Sequence, residues 1–240
     1  MADLTEALLG DEEIRKALAE KARAEAEKAK AEAEQARLGA RISKITLAQV
    51  AREEKDILAE DSMNHVYHFN TSVTEGSVKT CMNTLSRWAR QEPGCDISVI
   101  VNSPGGDVIE GMALFDHIID LRERGHAVHV TVRGMAASMA GILLQAGTTR
   151  TIGREAWVLI HRAAFGTFGK SFEIEDKVEW VKRIEARIID IFVQRSKEAA
   201  DAGTASKPLT KAKVRKNWER KDWWLTSDEC IEYGVADRVA

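Results

Sequence analysis

The feature that most limits what this chain can fold into is a step repeated between Val66 and Ile160: a short apolar run, a turn rich in small residues, then a helix-forming stretch. Cys95-Asp96-Ile97-Ser98-Val99-Ile100-Val101 reads as a buried strand. Asn102-Ser103-Pro104-Gly105-Gly106-Asp107 breaks regular structure, and a helix is predicted from Val108 to about Glu123. Gly125 closes that helix, and His126 to Val132 reads as the next strand. Gly134-Met135-Ala136-Ala137-Ser138 then turns into a helix through Met139 to Leu144, and Ala156 to Ile160 is a further strand ending at His161. Upstream, Val66-Tyr67-His68-Phe69 is a short strand, and Val78 to Ala89 a helix whose apolar face is Val78, Met82, Leu85 and Trp88. Strands alternating with helices imply an α/β fold, with helices covering mostly parallel strands.

Two flanking segments differ. From Asp11 to Ala40 nearly every residue is Ala, Glu, Lys or Arg, with Ile14, Leu18 and Leu38 as the large apolar exceptions. These are strong helix formers, and Glu25 to Lys28 and Glu27 to Lys30 sit at ion-pairing distance along a helix. A long helix with little to bury is expected, either solvated or lined with Ala for association. Gly39 and the change to Ile42, Ile45, Leu47 and Val50 set a boundary near residues 40 to 60, so residues 1 to 45 read as a charged helical extension and 46 to 240 as the compact domain. At the other end, Ser171 to Ala200 carries Ile174, Val178, Val181, Ile184, Ile188, Ile191 and Phe192 at helical spacing, and Thr226-Ser227-Asp228-Glu229 is a capping box before a last helix ending at Gly234.

Composition restricts the function classes. A net charge of −3 with scattered histidines leaves no strongly basic face for nucleic acid, and no apolar run is long enough to span a bilayer. Met1-Ala2-Asp3-Leu4-Thr5-Glu6 lacks the pattern of a secretory signal, so a cytoplasmic location is expected, without membrane partners. Cys81, Cys95 and Cys230 are odd in number and far apart, which favours reduced structural thiols over disulfides or a metal site. GxxxxGK[ST] and GxGxxG are absent, so no nucleotide cofactor is expected.

The residues suited to chemistry cluster at predicted strand ends. Ser138 stands at a strand-to-helix junction among Gly134, Ala136, Ala137, Ala140 and Gly141, where a substrate backbone can approach and a helix start offers N–H groups to an oxyanion. A serine needs a neighbouring base to attack at neutral pH. His161, at the C-terminal end of a strand where α/β crevices form, is the best placed; His65, His68, His117, His126 and His129 read as structural. A third, orienting carboxylate is not chosen by spacing among Asp176, Asp190, Asp222 and Asp228, although Trp223 and Trp224 are in position to shield Asp222. Gly105-Gly106 suits backbone N–H donation to an oxyanion or a peptide.

Taken together, Asn102-Ser103-Pro104-Gly105-Gly106, Gly134-Met135-Ala136-Ala137-Ser138-Met139, Ile160-His161, Asp222-Trp223-Trp224-Leu225-Thr226 and Glu232-Tyr233-Gly234-Val235-Ala236-Asp237 resemble the Clp protease proteolytic subunit (ClpP) family, in the family's order across roughly residues 60 to 240. The resemblance implies a ClpP/crotonase-like fold of repeated ββα units with a protruding handle helix from Ser171, here preceded by the long charged helix. It also implies a serine endopeptidase with Ser138, His161 and Asp222 as triad and the backbone N–H groups of Gly106 and Met139 as oxyanion hole. No cofactor or metal is implied. Expected partners are polypeptide substrates, further copies of the chain in a ring or stacked rings, and either a separate ATPase unfoldase or, as in ClpP-related phage head-maturation enzymes, capsid and scaffold proteins.

Two departures stand out. Arg162-Ala163-Ala164-Phe165-Gly166-Thr167-Phe168-Gly169 replaces the family's Gln-Pro and Gly-rich segment, and the charged helix replaces a short axial segment. The rival readings are a serine–lysine signal-peptide peptidase, a crotonase-type acyl-CoA enzyme and a catalytically silent assembly subunit. His161 argues against the first and Ser138 against the second; an intact set of three residues argues against the third.

Overall fold

The computed structural model describes residues 2 to 166, 168 to 219 and 221 to 240, with side chains from residue 12 onward; Thr167 of the segment after His161 lies outside the described residues. The chain divides into two units, residues 1 to 60 and 61 to 240. The first is one helix, α1 (Ala2–Leu58), exposed at every described side chain. Its composition explains this: with charges around most of the circumference, no broad apolar face exists to bury.

The second unit is a mixed α/β body. Its helices are α2 (Glu75–Gln91), α3 (Val108–Glu123), α4 (Met139–Gln145), α5 (Ser171–Asp201), α6 (Lys211–Trp218) and α7 (Ser227–Glu232). Its strands are β1 (Val66–Phe69), β2 (Ile97–Ser103), β3 (Val128–Ala137), β4 (Thr149–Ile152), β5 (Trp157–Ile160), β6 (Trp223–Leu225) and β7 (Arg238–Val239). They run β1-β2-β3-β4-β7, all parallel, while β5 pairs with β3 and β6 with β5. The apolar runs read from the sequence supply the core: Ile97, Val99, Val101, Val128, Val130 and Val132 are buried in adjacent strands, with Leu85, Leu114, Ile118 and Leu121 of α2 and α3 buried in the same cluster. Each such side chain removed from water contributes roughly 1.5–3 kcal/mol.

Strand β3 does two jobs. Residues His129 to Val132 pair with β4, and Met135 to Ala137 pair with β5. It therefore runs through Gly134 to Ala137, where the sequence had suggested that the turn already begins at Gly134. The Asn102 side chain secures that passage by accepting from the Met135 N–H at 3.2 Å. Helix α5 begins as an exposed arm, with Phe172 and Trp180 largely in solvent, and becomes core from Val181 to Phe192. Among the described residues no helix is long and apolar enough to cross a membrane.

Cys81, Cys95 and Cys230 are buried free thiols. Burial pushes the Cys81 thiol up to about 12 and raises Cys95 and Cys230 as well, so none is an activated thiolate.

The buried Arg150 belongs to β4 itself. Its backbone N–H donates to Asp237 Oδ2 at 2.8 Å, its guanidinium pairs with the same carboxylate, and further N–H groups reach Gln145 Oε1 at 2.7 Å and the Gly234 carbonyl at 2.9 Å. This ties β4 to the last turn of the chain. Burial pulls the guanidinium below its ordinary value and Asp237 opposes the shift, so Arg150 stays charged and depends on that carboxylate.

Candidate active site

Ser138 joins the end of β3 to the start of α4, and its backbone is strained there: φ is +56° and ψ −124°, a region that side chains other than glycine seldom occupy. The strain turns the chain sharply from strand into helix and lifts the side chain out of a buried neighbourhood. Ala136, Ala137, Met139 and Ala140 are buried, whereas Ser138 is half-exposed. Its own N–H is tied to the Leu159 carbonyl at 2.9 Å, which locks the turn onto β5.

The Gly105-Gly106 loop lies against this turn. A Cβ on Gly105 would fall 2.5 Å from the Ala137 carbonyl oxygen and 2.7 Å from Ser138 Cβ, so only glycine fits. Gly106 bridges to Val73 through a Val73 N–H to Gly105 carbonyl bond of 2.8 Å and an Asp107 N–H to Val73 carbonyl bond of 2.9 Å. In a trans peptide the N–H points opposite to the preceding carbonyl. With the Gly105 carbonyl turned to Val73, the Gly106 N–H is directed away from Val73. The same rule applies at Met139: the Ser138 carbonyl accepts from Gly141 N–H at 3.0 Å, along the helix, so the Met139 N–H points back out of its first turn. A Cβ on Gly105 would be only 2.9 Å from that Met139 nitrogen, so the two glycines and the start of α4 are immediate neighbours.

This contact has a testable consequence. Gly106→Ala would set a Cβ 2.3 Å from the Val73 carbonyl oxygen at a φ of +150°, and backbone cannot swing aside as a side chain does. A loss of about 2–4 kcal/mol is expected, read as a lower midpoint in chemical denaturation; an unchanged midpoint would mean that the loop is free to move.

His161 follows β5 directly. The parallel β3–β5 register pairs Ala137 with Leu159, so Ser138 and His161 leave adjacent strands at the same end of the sheet. Asp222 precedes β6, whose antiparallel register with β5 pairs Ile160 with Trp223. His161 and Asp222 each stand one residue beyond that last pair, just outside the two strands. Long-range strand pairing thus places β5 between β3, which ends just before Ser138, and β6, which begins just after Asp222. Among the described residues the three side chains are not hydrogen-bonded to one another; catalytic hydrogen bonds are often long without substrate and tighten when it binds.

Burial corrects one expectation. Trp223 is buried, but Trp224 is 43% exposed and Asp222 itself lies in solvent, so the tryptophans do not shield the carboxylate. Strand alternation is the reason: Trp223 points into the core and its two neighbours point away.

The remaining candidates are occupied elsewhere. His126 Nδ1 meets the Cys95 carbonyl at 3.2 Å, His129 Nδ1 meets Thr149 Oγ1 at 2.7 Å, His117 Nε2 meets Ser86 Oγ at 3.1 Å, His68 Nε2 meets Asp61 at 2.8 Å, and His65 packs against Trp88 with the rings tilted. Among the described residues His161 is the histidine that has no such partner. Of the carboxylates, Asp190 pairs with Lys211 at 2.5 Å, and Asp228 lies in the first turn of α7 beside the Thr226–Glu229 capping box.

Sequence reasoning missed one neighbour of the site. Arg162, directly after His161, donates from Nε and Nη2 to the two oxygens of Glu185 at 2.9 and 3.0 Å. Glu185 is buried on α5, and a charge inside an apolar stripe was the available signal. The pair raises the Arg162 pKa through that hydrogen bond and fastens the segment after the histidine to the helix. Among the described residues no cluster of His, Cys, Asp and Glu is grouped to hold a metal.

A parallel sheet with a strained serine at a strand-to-helix turn, glycines packed on it and a histidine at the neighbouring strand end defines the ClpP/crotonase-like class of α/β proteins. The Clp protease family model matches residues 51–240, and the chain belongs to that family, whose members are peptidases. It is 29% identical over 188 residues to the ATP-dependent Clp protease proteolytic subunit of Porphyromonas gingivalis, covering 78% of each chain. It is 28% identical over 186 residues to the subunit of the same name from Bacteroides fragilis, covering 77% of this chain and 83% of the relative. The corresponding figures for the Bacteroides thetaiotaomicron subunit are 29% over 186 residues, with 77% and 78% covered.

Proposed function

We propose that this chain is a serine endopeptidase that cleaves polypeptides inside a self-assembled ring, with catalysis confined to the α/β unit and the N-terminal helix as an appendage. The observation that supports the reading is that β5, which ends just before His161, pairs with β3, which ends just before Ser138, and with β6, which begins just after Asp222. Ser138 Oγ attacks the scissile carbonyl while His161 takes its proton, and Asp222 accepts from the other ring nitrogen, fixing the tautomer and stabilising the imidazolium. The Gly106 and Met139 N–H groups receive the oxyanion of the tetrahedral intermediate. Its collapse passes the proton from His161 to the leaving amine and leaves an acyl-Ser138 ester. Water, deprotonated by His161, then attacks that ester and releases the carboxylate product and free Ser138.

Labelling with a fluorophosphonate probe tests this reading. The unsubstituted protein should label, Ser138→Ala should not, and His161→Ala should label about 10²-fold or more slowly, as loss of a general base does. If the unsubstituted protein, with its assembly verified by light scattering, labels no faster than Ser138→Ala, the serine-peptidase reading fails.

Arg162 and Glu185 enter as positioning residues. Because the Arg162 side chain is half-exposed, the pair is worth less than ~1 kcal/mol to overall stability. Its larger effect is on where His161 is held. Glu185→Gln is expected to lower kcat about fivefold with KM little changed, since a small misplacement of a catalytic base acts on the chemical step. Equal rates in steady-state peptide assays would separate the pair from the histidine.

A further inference from the structure

Helix α1 is about 85 Å long at 1.5 Å per residue, and its described side chains are exposed throughout. Stability of so long a helix usually comes from burying a face. One face repeats with coiled-coil spacing. Stepping alternately by four and three from Ala22 gives Ala26, Ala29, Ala33, Ala36, Ala40, Ser43, Leu47 and Val50, an uninterrupted seam of a and d positions that ends before Glu54. It closes on large apolar residues left in solvent, with Leu47 71% and Val50 54% exposed.

The flanks of the seam identify the occupant. The e positions are Arg23, Lys30, Arg37 and Lys44, all basic, while the g positions include Glu25 and Glu32 and no base. In a parallel, in-register pair, each g residue faces the e residue five positions on in the other helix. Glu25 then meets Lys30 of the second copy, and Glu32 meets Arg37. In an antiparallel pair e faces e and g faces g, which would set four basic residues against four. Charge therefore selects one orientation and a partner with the same charge pattern. Glu32 also approaches Lys28 of its own helix at 3.9 Å, but an exposed i,i+4 pair is too weak to withhold it. Leu38, Ile42 and Ile45 occupy outer positions and take no part in this seam.

We infer that α1 pairs with α1 of a second copy of this chain as a parallel, in-register coiled coil along Ala22–Val50, so that the extension is a homotypic association device. The Ala-rich part lets the helices approach closely, Leu47 and Val50 supply the apolar closure, and the segregated charges set direction and register.

Disulfide trapping in the full chain tests this. In register, residue 36 faces residue 36 across the seam, whereas Ala31 lies on the outside. Native thiols interfere little because Cys81, Cys95 and Cys230 are buried. Under brief oxidation Ala36→Cys should give a covalent dimer in at least about tenfold higher yield than Ala31→Cys, since pairing raises the local thiol concentration. Adding Lys30→Glu and Arg37→Glu to Ala36→Cys should abolish the dimer. Mixing that protein with an Ala36→Cys chain carrying Glu25→Lys and Glu32→Lys should restore a cross-linked heterodimer. Equal yields from residues 31 and 36, no dimer from either, or a dimer strengthened by Lys30→Glu and Arg37→Glu, as antiparallel pairing requires, would each overturn the inference. The readout is independent of peptidase activity, so it stands or falls apart from the proposed catalytic residues.

Discussion

Asp222→Asn is expected to leave the protein folded and assembled while turnover of a peptide substrate falls about 10⁴-fold, equivalent to ~5.5 kcal/mol of transition-state stabilisation. The fold should tolerate the change because Asp222 is exposed and, among the described residues, takes part in no ion pair that holds the structure together. The chemistry should not tolerate it. In the proposed triad the Asp222 carboxylate accepts an N–H from the His161 ring and leaves the other nitrogen free to take the Ser138 proton. An asparagine amide can turn its NH₂ toward the ring, which stabilises the wrong tautomer and removes the charge that balances the imidazolium. The measurement is kcat/KM beside the melting temperature. Turnover near that of the unsubstituted protein would transfer the orienting role to another carboxylate, of which Asp176 on the exposed part of α5 is the first to examine.

The second large effect is on stability. Asp237→Ala should cost about 3–5 kcal/mol, because it leaves the buried Arg150 guanidinium without its counter-charge. Gln145 Oε1 and the Gly234 carbonyl would still accept from Arg150, but neither carries charge. For a domain of this size the loss corresponds to a melting temperature lower by roughly 10 °C. Since the bond joins β4 to the chain end, the first element to loosen should be β7, which pairs with β4 through Thr151–Arg238 and Ile152–Val239. Hydrogen exchange would show this as early loss of protection at Arg238 to Ala240. A melting temperature unchanged by Asp237→Ala would mean that Arg150 finds water or another acceptor when the carboxylate is gone. Arg150 and Asp237 together replaced by Met and Leu should recover much of the loss, because an apolar pair leaves no charge stranded.

Much of the fold was legible in local patterns. The apolar runs of β2 and β3, the break at Pro104-Gly105-Gly106 and the helix from Val108 to Glu123 were read from residue order, because a β-branched apolar run and a Pro-Gly-Gly turn each leave a local signature. Short elements escaped. Strand β4 is four residues and β7 two, neither long enough to show a period, and both exist because a neighbouring edge is there to pair with. Helix α6 escaped for a similar reason: its basic residues leave little apolar pattern, and it is held by Val214 and Trp218 in the core.

The serine with which a site could begin was visible from the small residues around it, and so was the strand-end histidine. Residue order determined that Ser138 would stand at a strand-to-helix turn and His161 at the tip of an apolar strand, since both follow from interactions within a few residues. It left Asp176, Asp190, Asp222 and Asp228 open, because which carboxylate meets a histidine some sixty residues away is a matter of strand pairing. The long-range antiparallel pairing of β6 with β5 leaves Asp222 one residue beyond the Ile160–Trp223 pair, and that position is why Asp222 is the carboxylate proposed. Burial then decided what neighbouring residues could not: Trp223 turns inward, Trp224 and Asp222 turn out, and Glu185, inside a helical stripe, reaches Arg162 beside the histidine. Local order sets where each group leaves its own strand; only long-range register and the sidedness of the sheet set which groups meet.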